Sequence, residues 1–139
     1  MRGSCRCENI SFHWAVESVP APPRACQCSY CAAIGAAYVS VPATAIQVFI
    51  ADENNHSIVR HGTETASFHE CTRCGELVLV TSEINSVVYG VINARCLTGA
   101  ELQLALPMNI GEETTLARFV RRQKNWCSPV VIRSMSDVF

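Results

Sequence analysis

No hydrophobic run in this sequence approaches the ~18 residues that mark a membrane span. Its opening residues, Met-Arg-Gly-Ser-Cys-Arg-Cys, hold no apolar core of the kind a signal peptide carries. Neither a membrane span nor export is expected, and the expected compartment is the cytoplasm. An excess of charge is missing too. Eleven Lys and Arg stand against 12 Asp and Glu, for a net charge of −1, which leaves too little positive charge to neutralise a phosphate backbone or an anionic membrane. Nucleic acid and membrane are not expected as main partners. Internal repeats and low-complexity tracts are absent, and the one linker-like stretch, Val19 to Arg24, is too short to separate a pair of domains. Residues 1–139 are expected to form a single domain.

What is present is a foldable chain rich in cysteine. A hydrophobic share of 49% with 17% charged residues belongs to a protein that buries a core. A reducing compartment disfavours structural disulfides, so clustered cysteines there read as metal ligands or reactive thiols. Seven of the nine cysteines fall into close-spaced groups: Cys5 and Cys7; Cys26, Cys28 and Cys31; Cys71 and Cys74. That spacing points to metal rather than to a disulfide framework.

The rest of the sequence reads as strands. After Cys7, Ile10, Phe12, Trp14 and Val16 alternate with Ser11, His13 and Ala15, the period of a strand with one buried face. Similar signals cover residues 37–41, 46–50, 57–61, 65–70, 77–81 and 86–92, separated by Pro, Asn, Asp and Gly. The expected fold is mainly β and mostly antiparallel. Between Thr114 and Lys124 the apolar set Leu116, Phe119 and Val120, with Arg118, Arg121, Arg122 and Lys124, fits one short amphipathic C-terminal helix, with Glu112 and Glu113 near its start. The tail from Pro129 to Ile132 fits an edge strand.

Zinc takes thiolates in a tetrahedron; a structural site fills all four positions, whereas a catalytic site keeps one open. Seven ligands divide as four and three, which predicts two zinc ions. Residues two apart in extended chain face the same way, so Cys5 and Cys7 can grip one ion with Arg6 on the other face. Cys71-Thr-Arg-Cys74-Gly75 is a knuckle in which a tight turn converges two sulfurs and the glycine accommodates a positive φ. Cys26-Gln-Cys28-Ser-Tyr-Cys31 joins an extended pair to a turn that returns a third sulfur. Spacing alone leaves a second pairing open: Cys28 and Cys31 with Cys71 and Cys74, as in a zinc ribbon.

The ordered set Gly3-Ser4-Cys5-Arg6-Cys7, Cys26-x-Cys28-Ser29-x-Cys31 and Cys71-x-x-Cys74-Gly75 resembles the glutathione-dependent formaldehyde-activating (GFA) family over about residues 3 to 92. That resemblance implies an Mss4-like fold of antiparallel β-sheets stabilised by zinc. It implies a structural zinc on Cys5, Cys7, Cys71 and Cys74, and a catalytic zinc on Cys26, Cys28 and Cys31. The implied activity is that of a carbon–sulfur lyase joining or cleaving glutathione, or another small-molecule thiol, and formaldehyde or a related aldehyde. The family's basic pair after the third middle cysteine is replaced here by Ala32-Ala33. The alternative, from another class, is a non-catalytic zinc-stabilised binding module. A homo-oligomer is compatible with the sequence.

Other residues have plainer readings. His13, His56, His61 and His69 lack ligand spacing and read as surface or packed side chains. Tyr30, inside the middle group, is balanced between a substrate contact and packing. Arg73 reads as a solvated cation, Cys96 and Cys127 as small buried side chains, and Trp14 and Trp126 as packing residues.

Overall fold

The computed structural model describes residues 1–61, 64–108 and 113–135. In chain order the strands are β1 (Arg2–Ser4), β2 (Ile10–Trp14), β3 (Arg24–Cys26), β4 (Ala37–Val39), β5 (Ile46–Ile50), β6 (His56–Val59), β7 (Ser67–Cys71), β8 (Leu77–Ile84), β9 (Val87–Asn93), β10 (Leu106–Met108) and β11 (Val130–Ser134). Two α-helices join them, α1 (Ser29–Ile34) and α2 (Thr115–Asn125). They build a four-stranded sheet in the order β1-β2-β5-β11 and a seven-stranded sheet in the order β10-β3-β4-β9-β8-β7-β6. Pairing is antiparallel throughout except for β3 with β10 and β5 with β11. The C-terminal strand is thus the expected edge strand, lying parallel to β5. Among the described residues no helix is long and apolar enough to cross a membrane.

Alternation decides which faces close. In β2, Ile10, Phe12 and Trp14 are buried, and across from them Ile50, Val48 and Ile46 of β5 are buried too, while Gln47 and Phe49 stay exposed. These side chains share a core with Val39, Leu79 and Ile92 from the second sheet. In β8 and β9 both faces are covered, which is why Leu77–Val80 reads as a continuous apolar run rather than an alternating one. Leu79 and Ile92 face the shared core; Val80 and Val91 turn the other way, into a second cluster with Cys31, Tyr38, Phe68 and Trp126. That second cluster is the wall of the candidate site.

Three expectations need correction. Cys5 and Cys7 do not lie in extended chain: they occupy the turn between β1 and β2, where Glu8 takes a positive φ of 65° and the Cys5 amide donates to the Ile10 carbonyl at 2.9 Å. The turn expected after Cys28 is the first turn of α1, with Cys28 as its N-cap. The third concerns α2, which turns the other way round from its apolar pattern. Arg118 and Arg122 are its buried residues, while Leu116 and Val120 are 74% and 54% exposed. Polar acceptors on the sheet explain the reversal, since Arg122 Nη1 donates to the Thr65 carbonyl, Thr65 Oγ1 and Ser82 Oγ at 3.0–3.1 Å. Thr114 caps the helix by accepting from the Ala117 amide, and Glu113 reaches Arg121 with both carboxylate oxygens at 3.0 Å. Glu112 lies outside the described residues.

Candidate metal centres

The sulfurs of Cys5, Cys7, Cys71 and Cys74 all lie within 4.8 Å of one another, and so do those of Cys26, Cys28 and Cys31. This is the four-plus-three division; the ribbon pairing of Cys28 and Cys31 with Cys71 and Cys74 does not form. Two hairpin ends make the first group. Cys71 closes β7 and Cys74 follows in the turn to β8, where Gly75, at φ +75°, donates its amide to the Cys71 carbonyl at 2.7 Å. A tetrahedron with zinc–sulfur bonds of ~2.3 Å has sulfur–sulfur edges of roughly 3.8 Å. Cys5 to Cys7 is 3.7 Å and Cys7 to Cys71 is 3.5 Å, close to that edge, and the remaining sulfurs lie within 4.8 Å, so the donor set could hold such an ion. The Ile10 amide points at the Cys5 sulfur (3.4 Å) and Asn9 Nδ2 at the Cys71 sulfur (3.9 Å), contacts that orient ligands. Without metal the group shares its protons unevenly. Burial pushes the Cys5 thiol up to about 12. At Cys74 burial is outweighed by the Cys7 and Glu76 amides and by neighbouring thiols, which bring it down to about 6.

The second group has three ligands and an open side. Cys26 ends β3, Cys28 caps α1 and accepts from the Cys31 amide at 3.4 Å, and Cys31 is buried in the helix's first turn. No fourth His, Cys, Asp or Glu joins them among the described residues. The Cys26 thiol is brought down to about 5, first by the hydrogen bond from Cys31, and also by Cys28 and the charge of Arg121, against the effect of burial. The same hydrogen bond, with burial, pushes Cys31 up. Cys26 therefore gives up its proton more readily than Cys31, and a metal would displace the protons that remain.

Beside Cys26 and Cys31 lies a cavity of about 130 Å³, walled by Tyr38, Phe68, Val80, Val91, Met108 and Trp126 and carrying Arg24, Arg121 and Arg122. The cations that Ala32-Ala33 fail to supply come instead from β3 and α2; both alanines are exposed on α1. Tyr30 does not face this cavity: its hydroxyl donates to Glu70, and its ring stacks on His61 at 3.9 Å. The tyrosine at the site is Tyr38, whose Oη lies 3.1 Å from the Cys31 sulfur. Alternation in β4 held that signal, since Val39 faces the shared core and its neighbour Tyr38 must face the other way.

None of the four histidines enters a cysteine group. His13 is exposed, and His69 is buried between His56 (2.9 Å) and Thr81 (2.7 Å). Arg73 pairs with Asp52 at 3.4 Å on the surface. Cys96 and Cys127 are buried, 3% and 0% exposed, and belong to neither group. Trp14 is fully buried with its Nε1 donating to Thr44 at 2.8 Å, whereas Trp126 both packs and lines the cavity.

The chain is thus a mainly β protein with a four-sulfur group and a three-sulfur group, each of which could hold a metal ion. Residues 1–106 match the family described as "Glutathione-dependent formaldehyde-activating enzyme", and the chain belongs to that family. Among solved structures it is similar to a Rhodobacter sphaeroides protein known from a crystal structure. The TM-score is 0.61 at 23% identity, covering 78% of this chain and 100% of the other, a likeness of fold. Among curated proteins none matches.

Proposed function

We propose that the protein is a zinc-dependent carbon–sulfur lyase of the GFA family, acting on the adduct of a thiol, glutathione or another, with formaldehyde or a related aldehyde. The observation that carries this reading is the open side of the Cys26, Cys28 and Cys31 group, which lies beside a walled cavity and has no fourth protein ligand among the described residues. Cys5, Cys7, Cys71 and Cys74 would hold the structural zinc, and Cys26, Cys28 and Cys31 the catalytic one. In the breakdown direction the adduct's carbon–sulfur bond breaks with its electron pair going to sulfur; the hydroxyl oxygen becomes the carbonyl and gives up its proton. A zinc ion at the open centre supplies Lewis acidity and a stable seat for a thiolate.

The chain's own groups hold that seat. Tyr38 stays protonated, since burial and the Cys31 contact push its phenol up, and its hydroxyl steadies the Cys31 sulfur from 3.1 Å. Val80, Val91, Phe68 and Trp126 exclude water from one side of the reacting carbon. The test is exchange spectroscopy of formaldehyde with glutathione on the zinc-loaded protein, with titration calorimetry of glutathione against S-methylglutathione. A faster exchange than in buffer and much weaker binding of the methylated thiol are expected. Equal binding with no rate increase refutes the lyase reading and favours the non-catalytic zinc-stabilised module.

A further inference from the structure

The cavity beside the open centre has a feature that thiol chemistry does not use. Arg122 is 6% exposed, and its buried Nε has no hydrogen-bond partner. Its Nη1 bonds are to neutral oxygens of Thr65 and Ser82, and no carboxylate pairs with it among the described residues. Its guanidinium lies 5.0 Å from the Trp126 ring centre and 5.9 Å from that of Phe119. A buried cation with only neutral partners is costly, and an anion bound beside it would offset that cost.

The neighbours sharpen the imbalance. Arg24 and Arg121 line the same cavity, and Arg118 is buried one turn before Arg122. Arg24 donates to the neutral Ser40 hydroxyl, and Glu113 is ion-paired with Arg121 while its charge also reaches Arg122. Three thiolates with a dication would contribute one net negative charge. Among the described residues, that charge and Glu113 set against the three lining guanidiniums leave one positive charge in surplus before Arg118 is counted. The repulsion is felt within the protein: burial first, then Arg121 and Arg118, bring the Arg122 guanidinium down to about 10, against the partly compensating charge of Glu113.

Shape restricts the anion further. An enclosed apolar space of ~150 Å³ holds one benzene molecule, and this cavity measures about 130 Å³ with mainly apolar walls. A planar carboxylate matches the guanidinium fork, and a short apolar body fills the rest. The cavity opens to solvent on one side, so a compact acid fits wholly within it, whereas a tripeptide such as glutathione would have to extend out through the mouth.

Building on the lyase reading above, we propose that Arg122, Arg121 and Arg24 form a carboxylate subsite beside Cys26 and Cys31, and that the adduct handled here is that of a compact thiol acid with a small apolar body. The helix face that looked misdirected is then the specificity element, and it lies beyond the residues matched by the family.

The test separates the subsite from the metal chemistry by using a probe without sulfur. Phenylacetate and its neutral isostere phenylacetamide are titrated into the full zinc-loaded chain by calorimetry, with 3-mercaptopropionate and glutathione as thiol arms. Phenylacetate is expected to bind at least tenfold more tightly than the amide and to compete with 3-mercaptopropionate, which itself binds no more weakly than glutathione. Arg122→Met should abolish the preference for acid over amide. Because that change also removes bonds to Thr65 and Ser82, Arg121→Gln is measured beside it, with circular dichroism and zinc content as controls, and should reduce the preference severalfold. Equal binding of acid and amide, a preference unchanged in folded Arg121→Gln, or glutathione binding tenfold more tightly than 3-mercaptopropionate overturns the proposal. If phenylacetate behaves as expected while no thiol binds through sulfur, the subsite stands and the lyase reading fails.

Discussion

Adding one methyl group at Gly3 should unsettle the four-sulfur group from two residues away. Gly3 lies in β1 opposite Phe12 of β2 and bridges Leu97 on its other side. A Cβ built there falls 2.2 Å from the Cys96 carbonyl oxygen and 2.3 Å from Phe12 Cζ, whereas ordinary contact begins at 3.4 Å. One obstacle is backbone and the other a core ring only 3% exposed, so neither retreats by the required ångström without moving its neighbours. Overpacking of this kind costs ~1–3 kcal/mol, with the upper end fitting two rigid obstacles. The alanine's loss of freedom in the unfolded chain returns ~0.4–1 kcal/mol. A net loss of about 2 kcal/mol corresponds to a fall in melting temperature of roughly 4–8 °C at this chain length. Gly75→Ala is the comparison, because its Cβ meets nothing within 4 Å and its only penalty is for φ +75°, ~1–2 kcal/mol. Calorimetric melts of the zinc-loaded variants, with zinc affinity measured by chelator competition, decide the matter. Gly3→Ala melting within about 2 °C of the wild type, well short of the shift that such overpacking produces, with unchanged zinc affinity, would refute the argument from close approach.

Cys71→Ser should release zinc and unfold much of the chain, since a structural zinc contributes ~10–16 kcal/mol against a typical net stability of ~5–15 kcal/mol; a wild-type melt with full zinc content would sink the assignment. Cys28→Ser, at an exposed position, should lower zinc by about one equivalent with little change in circular dichroism, and global unfolding would show that the trio is structural. Under excess chelator, zinc should leave in two phases, first from the three-sulfur centre and then from the closed one, whose Cys5 and Cys71 are buried; a single phase counts against distinct centres. Tyr38→Phe should keep the fold and weaken zinc at the open centre by ~10–100-fold, the usual effect of losing a ligand's supporting bond, read by competition with a chromogenic chelator.

Strand alternation carried most of the fold into the sequence. Ile46–Ile50 has the period of a half-buried strand and is one, because its partners on both sides offer the same buried face. The short strands were not legible: Arg2–Ser4, Arg24–Cys26 and Leu106–Met108 span three residues each, less than two periods of any pattern, and tertiary pairing alone creates them. The clustering of the cysteines was legible because ligand spacing is local, even though the conformation behind the spacing was a turn at Cys5-Arg6-Cys7 and a helix N-terminus at Cys28. Helix α2 was misread for a physical reason. Hydrophobic pattern predicts the buried face when the surface it meets is apolar, and the surface here offers Thr65 and Ser82 oxygens instead. The cations of the cavity are consequently assembled from β3 and α2, elements at opposite ends of the chain, where no spacing rule reaches.

The two centres are joined asymmetrically, and the joint lies in residues that spacing made look incidental. Tyr30 precedes Cys31, Glu70 precedes Cys71, and their side chains are hydrogen-bonded to each other. Tyr30 is also held edge-on by Phe68 of β7, at 5.1 Å between ring centres. Helix α1 is a six-residue helix, too short to persist unaided, so β7 supports the element that carries Cys28 and Cys31. β7 is itself held by β6 and β8 and by the closed group at its end. Support therefore runs from the closed group to the open one: if each holds an ion as proposed, loss of the first would remove the platform for the second, whereas loss of the second would leave the sheet paired.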